Sequence, residues 1–175
     1  MSTTTLLVEI LIVGILAAIS LYLPLLTFTS FRLDNISNLS VFLQIGVIYT
    51  AGIIWNRVCN LVFSLFEKRI TNTIFLDKRE WFRAKLKVMA SGGKLSEYTE
   101  VLRSFVRISR AVALLALIHG VTIFIDSSTV THSGFTKIQV STFYTLLLSS
   151  SLFSWYWHRR GYLLTVKTAQ EILPD

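Results

Sequence analysis

Cysteine is almost absent from this chain. Cys59 is the only one, so no disulfide can close within the molecule and no cysteine cluster can form. Charge is scarce as well: Asp, Glu, Lys and Arg make up 15% of the 175 residues, against about 25% in soluble globular domains. With a mean hydropathy of +0.60, the solvent for most of the chain is expected to be lipid. No H-E-x-x-H, phosphate loop, G-x-S-x-G or dinucleotide fingerprint occurs. Nor does any apolar stretch hold an acidic cluster fit for a metal and lipid phosphate chemistry. These absences speak against an enzyme, although a membrane-embedded lipid enzyme stays a minor alternative, and they call for no cofactor and no metal.

What the sequence has is apolar length. Four stretches, 6–27, 40–66, 108–125 and 140–157, fill nearly half of the chain. A bilayer core needs about 20 apolar residues per helix, whereas a transmembrane barrel needs alternating strands of about ten. Unpaired backbone amides are not tolerated in hydrocarbon, so each stretch is expected to be helical. The expected fold class is all-α: a single polytopic domain over 1–175, with four transmembrane helices that continue into the cytoplasm. A basic cytoplasmic helical hairpin over about 67–107 is expected between helices two and three. The first stretch carries Glu9 where a secretory signal has a basic flank, and it is too long for a signal core. It reads as a retained helix.

Cations are distributed asymmetrically. Eleven Lys and Arg fall within 67–110, while the other two connections hold only Arg32 and Lys137, and the tail adds Arg159, Arg160 and Lys167. The positive-inside bias puts the central segment and the C-terminus in the cytoplasm at the inner membrane, and four crossings put the N-terminus there too.

Local signals divide the chain further. The first helix is expected to end near Pro24, with short external loops over 28–39 and 126–137. Asp126 and Lys137 are expected to be solvated. Val58, Leu61, Val62 and Leu65 carry the second helix past Trp55 and beyond the headgroups. Asp77 and Glu80 form a D-x-x-E capping pattern for a helix over 78–90, which Gly92 and Gly93 stop. Ser96 is expected to start a helix that runs unbroken into the third crossing. Trp55-Asn56-Arg57 and Trp157-His158-Arg159 match near the inner ends of helices two and four, a hint of duplication that interface anchoring explains as well.

The candidate sites follow from charge and polarity. Arg79, Arg83 and Lys87, with Arg103, Arg107 and Arg110, recur at helical spacing and are candidates for binding anionic lipid or an acidic cytoplasmic protein; nucleic acid is disfavoured because no binding module surrounds them. Asn56, Arg57 and Asn60 interrupt an apolar helix, with Glu67 or a carbonyl as the expected partner of Arg57. His119 is the titratable group near mid-membrane, a candidate for gating or for a hydrogen bond to a neighbouring helix. Ser141, Thr145 and Ser149 form a hydroxyl row suited to packing or to an aqueous path. Trp55, Trp157, Arg159 and Arg160 are expected interface anchors. Gly14 with Ala18, Ala116 with Gly120, and Ser150 with Ser154 have the small-xxx-small spacing that favours homo-oligomers.

The expected function is that of a non-catalytic, self-associating membrane component that relays a membrane signal to a cytoplasmic partner, or anchors it, through the basic segment. Small membrane proteins without chemistry of their own often serve as one part of a bacterial multi-protein system, antiviral defence included. The rival expectation is an oligomeric channel with arginines at its inner mouth.

Overall fold

The computed structural model describes residues 3–28, 41–75, 77–125 and 136–172. They form five α-helices and no strand: α1 (Thr3–Phe28), α2 (Val41–Ile74), α3 (Lys78–Ser91), α4 (Gly93–Ile125) and α5 (Lys137–Ile172). The expected external loops lie almost entirely outside the described residues. At 1.5 Å per residue, α2, α4 and α5 are each about 50 Å long, more than a bilayer core of about 30 Å. Two of them, α2 and α4, are long and apolar enough to cross a membrane, while α1 offers a shorter apolar stretch over Leu7–Leu21. Serines, tyrosines and tryptophans dilute the apolar character of α5.

Helix ends depart from expectation in two places. α1 continues through Pro24 to Phe28 instead of stopping near the proline. α4 begins at Gly93, three residues before Ser96. Gly92 and Gly93, at φ of 61° and 65°, adopt the left-handed backbone that glycine tolerates best, which separates α3 from α4. Asp77 is extended and its side chain makes no cap hydrogen bond. The first turn of α3 instead uses the Asp77 carbonyl, which accepts from the Trp81 amide at 3.2 Å.

Two helix pairs build the bundle. α4 and α5 share the most extensive contact and run antiparallel in fixed register, with His119 against Tyr144, Ser109 against Ser154 and Phe105 stacked on His158. α1 and α2 meet through glycine. A Cβ on Gly14 would lie 2.0 Å from the Ile48 carbonyl oxygen, and one on Gly52 would lie 2.3 Å from that of Ile10, so neither position admits any side chain at this separation. The face of Gly14 is thus spent within the chain. α1 also packs on α4, around Val13, Ala17, Trp55, Cys59, Ala111 and Leu114.

A second core lies at the other end of the long helices. Ala84 and Val88 of α3 meet Leu163, Val166 and Ala169 of α5, with Phe75 and Leu102 completing the cluster. Trp81 links them, its ring packing against Phe75 and Tyr162. Lys167 donates to the Ile74 carbonyl at 2.9 Å, placing a cation where the end of α2 leaves acceptors unpaired. The amphipathic α3, too short to fold alone, is therefore held by the extensions of α2, α4 and α5.

Candidate polar site between the long helices

Between the two cores, charged side chains from all four long helices converge. Arg107 Nε lies 2.7 Å from Glu9 Oε1, and Ser104 donates to Glu9 Oε2 at 2.7 Å, so the one acid of α1 is tied to α4. Arg110 donates to Glu67 Oε1 at 2.7 Å, and Arg159 Nη2 lies 3.7 Å from Glu67 Oε2, joining α2 to both α4 and α5. Arg159 also donates to the Thr71 hydroxyl at 3.3 Å and sits over the Tyr162 ring. Within α4, Glu100 pairs with Arg103 one turn on and lies 3.9 Å from Arg107 Nη2. Burial pushes the Tyr162 phenol above its ordinary range, opposed by Arg103 and Arg159.

These groups border a cavity of about 240 Å3, with Asn56 and Asn60 on one side and Arg103, Arg107, Arg110 and Arg159 on the others. The network is not saturated. Arg107 Nη2, Arg110 Nε and Arg159 Nε are buried without a hydrogen-bond partner among the described residues, and each such donor costs about 1–3 kcal/mol. Arg110 is only 5% exposed.

The arrangement changes the reading of several candidates. Arg103, Arg107 and Arg110 do not form an outward basic face with α3. Arg107 and Arg110 turn inward to Glu9 and Glu67, which helices distant in sequence bring to them, while the partly exposed Arg103 pairs with Glu100 of its own helix. Arg79 and Arg83 are exposed beside Trp81 and Phe82, and Lys87 reaches the Gln170 carbonyl at 3.4 Å. Glu67 pairs with Arg110 and Arg159; Arg57 is exposed on the outer side of α2. Trp55, expected at the interface, is buried against Cys59, Ala111 and Leu114. Trp157 and Arg160 are exposed. The matched triplets therefore occupy unlike environments, Trp55 buried and Trp157 outside, Arg57 outside and Arg159 paired.

His119 is buried and bonded on both sides. Nε2 lies 2.9 Å from the Ile19 carbonyl and Nδ1 lies 3.0 Å from the Tyr144 hydroxyl. The carbonyl can only accept, so Nε2 carries the proton, and Nδ1 can accept from Tyr144. The neutral ring is fully satisfied and joins α1, α4 and α5. Thr145 and Ser149, exposed on α5, donate to carbonyls of their own helix. Lys137, also exposed, sits 5.7 Å from the Phe124 ring centre, while Asp126 lies outside the described residues. Among the described residues no three His, Cys, Asp or Glu side chains gather as a metal site would require.

Sequence reasoning missed Glu9 as a partner, Glu67 as the hub and Gly52 as a contact. Gly52 had a usable signal, a residue without a side chain in a span of bulky ones. Comparison with known proteins adds no assignment: no protein-family profile, no curated protein and no solved structure matches the chain.

Proposed function

We propose that this chain is a polytopic inner-membrane protein of four crossings, in which the ionic layer marks the cytoplasmic boundary and joins the membrane helices to a cytoplasmic α3 unit. The observation that carries the reading is the convergence of Glu9, Glu67, Arg107, Arg110 and Arg159 at one level of α1, α2, α4 and α5. Ionisable groups on apolar helices pair with one another at just such places. Outward of that level the helices are mainly apolar, the exposed Arg57 of α2 and the buried His119 of α4 excepted; inward lie α3 and the lysine-rich and arginine-rich segment. Both termini are then cytoplasmic.

The surface of α2 supports a lipid-facing or self-associating role. Only 17% of its most apolar window is buried within the chain, against 56% for α4. Ile53, Ile54, Leu61 and Leu65 are exposed along it, more apolar surface than a monomer in water tolerates. The inferred activity is non-catalytic: α2, α4 and α5 act as levers through the boundary, and movement in the bilayer displaces α3, whose exposed Arg79 and Arg83 meet a cytoplasmic partner or the inner leaflet.

The test is a fluorophore on Lys85→Cys, in a Cys59→Ala background, reconstituted into nanodiscs of short-chain and long-chain lipid. A relay requires its emission to change with bilayer thickness and Glu67→Ala to abolish that response. An emission indifferent to thickness while the protein remains folded defeats the relay.

A further inference from the structure

The arginine-lined cavity has a composition that the ion pairs alone do not account for. Four guanidinium groups, Arg103, Arg107, Arg110 and Arg159, meet three carboxylates, Glu9, Glu67 and Glu100, which leaves one positive charge in excess. Three of the four arginines keep a buried nitrogen without a hydrogen-bond acceptor among the described residues. Asn56 and Asn60 bring amide donors to the same space, whose volume of about 240 Å3 compares with the roughly 30 Å3 share of one liquid water. Excess positive charge, with arginine and asparagine side chains lining the space, is the complement of a phosphate group.

A second, separate space lies farther along the same helices. Arg110 is followed on α4 by Ala113, Leu114 and Leu117, which face Val62 and Phe66 of α2 and Leu152 of α5 across a wholly apolar groove of about 410 Å3. Phe63 and Trp155, packed edge to face at 5.0 Å, line the groove. The buried Trp155 indole N–H has no acceptor among the described residues. The groove exists because α2 touches α4 and α5 far less than those two touch each other.

We propose that this cleft holds an anionic phospholipid, its phosphate among Arg107, Arg110, Arg159 and the two asparagines, and an acyl chain along the apolar groove. Basic pockets between membrane helices on the cytoplasmic side bind acidic headgroups in this way. The proposal rests on the membrane reading above for the lipid source. In structural terms, the lipid replaces missing protein contact between α2 and the α4–α5 pair, and its phosphate neutralises the surplus cation.

The full chain in detergent, titrated with monomeric dihexanoyl phosphatidic acid, dihexanoyl phosphatidylcholine or inorganic phosphate, tests this by thermal unfolding and tryptophan fluorescence. Phosphatidic acid is expected to raise the unfolding temperature saturably, at concentrations at least about tenfold below those of the other two, a difference of about one hydrogen-bonded charge contact. Asn60→Leu, at the head cavity, and Leu117→Trp, filling the groove from an exposed position, are each expected to weaken it about tenfold. If Asn60→Leu fails to fold, Leu117→Trp decides alone. Equal response to phosphatidylcholine overturns recognition of the anion, and inorganic phosphate matching phosphatidic acid overturns the lipid in favour of a free-anion site. Absence of saturable binding overturns both. Because a monomeric lipid reports on the cleft whatever the sidedness of the protein, failure here leaves the four-crossing reading standing, and failure of that reading leaves this measurement intact.

Discussion

Arg107 of α4 and Glu9 of α1 lie with Nε and Oε1 2.7 Å apart, their side chains 18% and 6% exposed. A pair this buried is costly to break from one side, because the surviving charge keeps its desolvation penalty and loses its partner. Glu9→Leu is expected to destabilise the detergent-solubilised protein by about 3 kcal/mol, and Glu9→Leu with Arg107→Met to recover most of that loss. Thermal unfolding of the single and double variants checks it; equal destabilisation in both rules out a coupled pair.

Glu67 and Glu100 provide an internal comparison. Glu67 joins three helices through Arg110 and Arg159, whereas Glu100 pairs mainly with Arg103 on its own helix. Local pairs at this spacing contribute about 0.2–0.5 kcal/mol, so Glu100→Ala is expected to shift unfolding far less than Glu67→Ala. Denaturation of the two variants side by side would contradict the network if Glu100→Ala proved the more damaging.

The glycines of the α1–α2 contact are expected to differ sharply among themselves. Gly14→Ala and Gly52→Ala place a methyl within 2.0 Å and 2.3 Å of a backbone oxygen, while a Cβ on Gly46 meets nothing within 4 Å. The first two should each cost at least about 1–3 kcal/mol, since helix backbones have to separate. Gly46→Ala should leave the thermal midpoint unchanged or slightly raised, alanine being the better helix former.

His119 is expected to behave as a structural link. Tyr144→Phe removes the side-chain partner of Nδ1 and should cost about 1 kcal/mol, with a larger loss for His119→Leu, which also removes the bond to the Ile19 carbonyl. Unfolding measured on both variants checks the order.

The helices were legible because apolar length and 3.6-residue spacing are local properties. Val58, Leu61, Val62 and Leu65 carried α2 well past Trp55, and Gly92 with Gly93 marked the break before α4. Facing was not legible. Arg103, Arg107 and Arg110 form the same stripe whether it points to solvent or to the bundle, and the choice depends on Glu9 and Glu67, far away in sequence. Trp55 posed the same problem: a tryptophan near the end of an apolar run suits the headgroup region, yet here it fills space beside Cys59 and Ala111 that the close approach of α1 creates. Asp77 opens α3 with its backbone carbonyl and not with a side-chain cap.

The central claim is that the ionic layer is the inner boundary of a four-crossing protein, and cysteine accessibility in intact cells tests it most directly. In a Cys59→Ala background, Ser133→Cys, in the connection between α4 and α5, is expected to react with a membrane-impermeant maleimide from outside, and Arg79→Cys only after the membrane is opened. Labelling of Arg79→Cys in intact cells, or recovery of the chain in the soluble fraction without detergent, would contradict the account.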